Sequence, residues 1–239
     1  MKTLGLIGGT SWHSTIEYYK YINQYVNDYF GNNTNPPLVV FNLNQFLVHK
    51  YQRESNWERI AELLIEGARS LERAGADMVM FCANTPHKVY NIVEREISKP
   101  ILHIADATAD AIKLQHLKKV CFLGTKYSMN ETFVTKRIED NGVKVMTPNQ
   151  EDTIEELHRI IQEELTYGQV VSESKGYVID TIKNLTDLGC EGVILGCTEF
   201  PLMIKEDELK IPIFNTTQIH ALSGAKFILK EYINDQANL

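Results

Sequence analysis

Two stretches limit what this chain can fold into more than any other feature. Residues 75–87 read GADMVMFCANTPH, and residues 189–201 read GCEGVILGCTEFP. Each runs from a glycine through an acidic residue and an apolar run to a cysteine. A short unbroken apolar run bounded by turn residues predicts a strand buried on both faces. In the first stretch Thr85 and Pro86 follow as a helix start, Thr as cap and Pro at a position that needs no N–H. Cys82 is therefore expected between a strand end and a helix amino terminus, where oriented N–H groups lower a thiol's pKa. Cys197, followed by Thr198, repeats the arrangement.

The rest of the chain alternates strand and helix around these stretches. An apolar strand at 3–7 ends in Gly8-Gly9-Thr10-Ser11, and Ser14 with Glu17 reads as a capping box for a helix carrying Tyr18, Ile22, Tyr25 and Tyr29. A strand at 38–43 and a loop or short helical excursion at 44–54 follow. Ser55 with Glu58 then opens a helix whose face is Trp57, Ile60, Leu64, Ala68 and Leu71, stopped by Gly75. The first half closes with a helix at 86–97 and a strand at 101–104. The second half repeats this, with strands at 120–123, 143–146, 192–195 and 211–214. Ser128 with Glu131 caps its first helix, further helices are expected at 152–166 and 173–188, and a terminal one at 218–233. Gly8 to Gly124 is 116 residues, Gly75 to Gly189 is 114 and Pro100 to Pro212 is 112. That steady drift predicts an internal duplication: an α/β chain of two similar domains, each a parallel sheet flanked by helices, related by a pseudo-twofold axis. The boundaries expected are 1–104 with 213–239 for the first domain and 105–212 for the second. Ligands of such sheets bind beyond the carboxyl ends of the strands, which puts the active site between the domains.

Charge and cysteine usage narrow the function. A net charge of −7, with no cluster of Lys and Arg, argues against a nucleic-acid or anionic-membrane surface. The four cysteines show no CxxC spacing, and in a 239-residue chain they read as reduced thiols rather than a disulfide framework. No apolar stretch is long enough for a membrane span, and the amino terminus enters a strand at once, so a cytoplasmic protein without a signal peptide is expected. Cys121 and Cys190 read as small buried hydrophobes. Gly8-Gly9-Thr10 is neither GxGxxG nor a Walker loop. His13, His49, His87 and His220 lack metal-ligand spacing, and no metal site is expected.

The segments GGTSWHST, CANTPH and GCTEFPL together resemble the aspartate/glutamate racemase family, and most of all its aspartate racemase branch. The resemblance runs over essentially the whole chain. It implies two α/β domains with an interdomain active site, no cofactor, a homodimer, and an acidic amino acid as substrate. It also implies that Cys82 and Cys197 abstract and return the α-proton from opposite faces. YQRESNW is similar to the family's QR element, so Gln52 and Arg53 would hold a substrate carboxylate. Thr10 and Ser11 of the first loop, with Ala83, Asn84, Thr85, Thr198 and Glu199 beside the cysteines, would line the substrate. The segment ELTYGQVVSESK lacks a lysine where some relatives use one for the side-chain carboxylate; Lys175 is the nearest cation. Pro86 stands where the branch usually has Met, and Thr10 where it often has Met.

Paired thiols suit such a reaction on physical grounds. Inverting Cα requires a proton removed from one face and one delivered to the other, so two groups are needed, one deprotonated and one protonated. Hydrogen bonds to the α-carboxylate and exclusion of water must stabilise the carbanion. Two other readings remain open from sequence: another superfamily isomerase of the hydantoin racemase or maleate isomerase type, and a catalytically idle protein that clamps a dicarboxylate.

Overall fold

The structure, a computed structural model, describes residues 1–237. It divides into two compact units, Met1–His103 together with the chain from His220 on, and Ile104–Ile219. The first contains β1 (Leu4–Gly8), α1 (Trp12–Phe30), β2 (Leu38–Asn42), α2 (Gln45–Arg53), α3 (Trp57–Arg73), β3 (Met78–Phe81), α4 (Tyr90–Glu94) and β4 (Ile101–Leu102). The second contains α5 (Ile104–Leu114), β5 (Lys119–Leu123), α6 (Lys126–Asn130), α7 (Thr135–Asp140), β6 (Lys144–Met146), α8 (Glu151–Arg159), α9 (Ser172–Asp187), β7 (Val193–Leu195), α10 (Phe200–Met203) and β8 (Ile213–Asn215). The last helix, α11 (Thr216–Ala237), begins in the second unit and continues in the first.

Each unit holds a four-stranded parallel sheet with helices on both faces, in the same strand order: β2-β1-β3-β4 and β6-β5-β7-β8. Alternation along the strands divides the first core. Ile7, Val79 and Phe81 face α3 through Ile60, Leu64, Ala68 and Leu71. Leu4, Leu6, Met80 and Cys82 face α1 and α11 through Tyr18, Ile22, Val26, Ala221 and Ala225. The second unit has one core, with Val120, Phe122, Val193 and Ile194 inside it. Because β8 pairs with β7, the chain returns to the first unit at His220 and not at residue 213. The glycines and acids of the two repeated stretches have structural duties. Gly75 and Gly189 take positive φ values of 88° and 90° after their helices, a region in which a Cβ is strained. Asp77 accepts a hydrogen bond from Thr3 N at 2.9 Å, and Glu191 accepts from Lys118 N and Lys119 N at 2.6 and 2.9 Å. Each acid thus ties the start of its neighbouring central strand.

Three helix starts differ from the capping boxes: two lie three residues earlier than predicted and one lies a residue later. Ser11, Asn56 and Thr125 are the caps, accepting from the N–H groups of Ser14, Arg59 and Ser128. Ser14 and Ser128 are themselves the third residues of their helices, which is why each looks like a cap in sequence. The buried stripe of α1 is Tyr18, Ile22 and Val26, a strict four-residue spacing, and Tyr29 is exposed. Residues 86–97 do not form one helix: Thr85–Val89 is a 3₁₀ turn running into the short α4. After α8 the chain passes through a π turn (Ile160–Glu164) and a 3₁₀ turn (Leu165–Tyr167). Among the described residues no helix is long and apolar enough to cross a membrane.

Candidate active site

Cys197 lies two residues beyond β7, buried, with its Sγ–H donating to Glu199 Oε2 at 3.0 Å. Thr198 Oγ1 donates to the same oxygen at 2.7 Å. Glu199 is only 4% exposed, so these bonds offset part of the cost of burying a carboxylate. Burial, then the charge of Glu199, then the thiol's bond to it, push the Cys197 pKa well above the usual thiol value. Backbone N–H groups of Glu199 and Thr198 pull the other way, with smaller effect. The lowering expected from N–H dipoles is therefore present and outweighed.

Cys82 directly follows β3, and its N–H donates to Ile7 O at 2.9 Å. The turn beyond it is too short to carry much dipole, and burial alone pushes this thiol up as well. The neighbour whose ionisation responds to it is Tyr18, raised first by its own burial and then by the charge of Cys82.

Strand register shows how the two cysteines correspond. Ile7 pairs with Phe81, and in the second sheet Leu123 pairs with Leu195. One residue on, Cys82 N bonds Ile7 O and Gly196 N bonds Leu123 O at 2.7 Å. Cys82 therefore matches Gly196, and the residue matching Cys197 is Ala83. The pairing of Cys82 with Cys197 expected from sequence is out of step by one residue. The two cysteines are 115 residues apart, whereas the glycines before them are 114 apart. Orientation follows register: a Cβ at Gly196 would collide with the Phe122 ring, and Cys82 likewise packs inward, with Leu6, Tyr18 and Met80.

The other expected residues fall into groups. Thr10 and Ser11 are buried in the loop after β1, beside α2: His49 Nε2 lies 3.1 Å from Thr10 O, and Trp12 N donates to Gln45 Oε1 at 3.3 Å. Gln52 is buried on the same helix and Arg53, its last residue, is exposed, with no ion pair among the described residues. Asn84 and Thr85 are buried at the start of the 3₁₀ turn. Lys175 on α9 is already ion-paired with Glu208, so it is not an open cation. Cys121 and Cys190 are buried, and all four cysteines are free thiols. Among the described residues, no three His, Cys, Asp or Glu side chains stand together as a metal would require.

Sequence reading missed a polar group behind the first strand end. His220 Nε2 lies 3.0 Å from Leu102 O, which can only accept, so Nδ1 is bare and accepts from Tyr18 O–H at 2.7 Å. Burial first, and His87 second, push the His220 pKa down to about 3. His87 Nδ1 donates towards the carbonyls of Ala83 and Asn84, at 3.0 and 3.2 Å, and so pins the turn after Cys82. No spacing signals these partners, since Tyr18 and His220 are 202 residues apart.

Two parallel-sheet units of the same strand order, one of them with a buried thiol–carboxylate pair just beyond β7, define the class of α/β protein to which the chain is compared. The chain belongs to the Asp/Glu/hydantoin racemase family, whose model matches residues 7–223. It is 40% identical, with a TM-score of 0.89, to a Yersinia pestis protein provisionally assigned as an Asp/Glu racemase, over 96% of this chain and 100% of that one. An aspartate racemase homologue from Pyrococcus horikoshii OT3 is 38% identical, with a TM-score of 0.83, over 95% and 99% of the two chains. The broad specificity amino-acid racemase RacX of Bacillus subtilis is 24% identical over 174 residues, which is 72% of this chain and 73% of that one.

Proposed function

We propose that the chain interconverts the L and D forms of an amino acid, aspartate first and glutamate next, without a cofactor. The observation that carries this reading is the buried Cys197–Glu199 pair beyond β7, in a chain of this family. Transfer of the thiol proton to the carboxylate leaves a thiolate beside a neutral acid, and that thiolate takes the α-proton. A positioned acid/base group contributes about 10²–10⁴-fold, so the carbanion needs further stabilisation from hydrogen-bond donors. Asn84, Thr85, Thr198 and neighbouring N–H groups take that role in this proposal. Arg53 holds a substrate carboxylate, with Gln52, Thr10 and Ser11 beside it. Its planar fork suits a carboxylate, and among the described residues it has no ion pair to give up, whereas Lys175 has. The homodimer and the cytoplasmic setting belong to the same proposal. Wider amino-acid use, as the name of the Bacillus relative indicates for that protein, is the second reading. An idle dicarboxylate clamp is disfavoured, because binding alone requires no thiol on a buried carboxylate.

The test is incubation of the purified protein with each L- and D-amino acid, followed by chiral chromatography. Aspartate should interconvert fastest, and activity should survive EDTA and carbonyl-trapping reagents. A folded protein that inverts no amino acid would overturn the reading.

A further inference from the structure

In the first unit, the place that matches Cys197 belongs to Ala83. Both residues lie two positions beyond the strand that pairs with the central one, and the hydrogen bonds one residue earlier, Cys82 N to Ile7 O and Gly196 N to Leu123 O, are the same bond in the two units. Position 196 faces the Phe122 ring, and position 82 faces Leu6, the residue that matches Phe122 by the same register. Cys82 therefore occupies a packing position, 2% exposed, in the buried cluster that holds Met80 and Tyr18 of α1. A methyl group cannot donate or accept a proton. We propose that position 83 is the second acid/base position of this fold, that alanine there leaves the chain with a single catalytic thiol, Cys197, and that Cys82 is a core residue. The proposal rests on the racemase reading above.

The proton balance then differs between the two faces. Thiolate Cys197 takes the α-proton and becomes a thiol, leaving the electron pair on Cα and its carboxylate. Return of a proton by the same thiol regenerates the starting enantiomer. Inversion needs a proton on the Ala83 side, and water supplies it, forming a new C–H bond and leaving hydroxide. Hydroxide then removes the proton from Cys197, restoring thiolate and water. Because water is poorly positioned beside an oriented thiol, exchange outruns inversion, and for one enantiomer only.

The experiment follows pure L- and D-aspartate in deuterated water, reading loss of the α-hydrogen by NMR and chirality by chromatography. For the wild type, one enantiomer should exchange at least about tenfold faster than it inverts. Ala83→Cys should raise inversion by about tenfold or more and bring exchange and inversion close together. Cys82→Ser and Cys82→Ala should keep both rates within about threefold of wild type, while Cys197→Ser should abolish exchange of the favoured enantiomer. The proposal is overturned if the wild type exchanges both enantiomers as fast as it inverts them. It is equally overturned if either Cys82 variant, with unchanged circular dichroism and melting temperature, loses inversion but keeps exchange. No exchange from any amino acid, by wild type or by Ala83→Cys, would instead defeat the racemase reading itself.

Discussion

Glu199 is 4% exposed and lies within hydrogen-bonding distance of a thiol that its own charge makes harder to ionise. If that charge were its whole effect, its removal would help catalysis at neutral pH. If it receives the thiol proton, its removal must hurt. The proposed mechanism takes the second course. Glu199→Gln should lower kcat at neutral pH by about 10²-fold or more, and the remaining activity should climb as pH rises. The sign follows from the raised Cys197 pKa: its thiolate is scarce at neutral pH without a nearby acceptor and accumulates only in alkali. Because glutamine also removes a cause of that raised pKa, the climb should begin at a lower pH than ionisation of the wild-type thiol. A pH profile of kcat checks both, and unchanged neutral activity would remove Glu199 from the mechanism. In sequence, Glu199 is legible only as a polar neighbour of Cys197. Its side-chain direction depends on how the chain turns out of β7 into α10, which no local pattern encodes.

Three elements of the first unit meet at His220: Tyr18 of α1 donates to it, and it lies on Leu102 O of β4, while it sits itself on α11. Its ring is fully buried and its pKa is pushed from 6.5 down to about 3, so the folded state refuses a proton that the unfolded chain accepts. A depressed folded pKa gives stability that is complete above about pH 6.5 and lost as pH falls towards about 3, at most about 4–5 kcal/mol for this group. Denaturant melts across that pH range should show the decline. His220→Gln should flatten it, while costing stability at neutral pH because Tyr18 and Leu102 lose their partner geometry. A variant as acid-sensitive as the wild type would show that another group governs the decline. Periodicity located most of these elements well, because strands covered on both faces read as unbroken apolar runs and α3 carries its buried residues at helical spacing. The pattern fails after Cys82, where residues 86–97 form a 3₁₀ turn and a short helix and not one helix. A capping residue places a helix start only to within a turn, as Ser14 and Ser128 show, and how soon a helix stops depends on the packing around it.

At the scale of the whole molecule, the first unit is discontinuous and the second is not. Ala221, Ala225, Ile228 and Leu229 of α11 cover the Leu4, Leu6 and Met80 face of the first sheet. A fragment of residues 1–103 exposes that face, and a fragment of 104–219 keeps its core intact. The second fragment should therefore show cooperative unfolding alone, and the first only after a peptide spanning 216–239 is added, as circular dichroism would report. Cooperative folding of 1–103 by itself would show that α11 is dispensable to that core. The duplication, the parallel α/β class, the position of each cysteine at a strand end and the family were all legible in the linear chain, since they rest on local apolar runs and on spacings that survive duplication. Only the tertiary structure decided three things: that Ile213–Asn215 belongs to the second sheet, that Lys175 is spent on Glu208, and that Cys82 stands one residue out of step with Cys197. In all three the deciding partner is distant in sequence: β7 for Ile213–Asn215, Glu208 for Lys175, and the neighbouring strands for the cysteine step. For the cysteines, a strand's period of two makes a shift of one residue exchange one face for the other, and the register that fixes the shift is set by hydrogen bonds to strands far away in sequence.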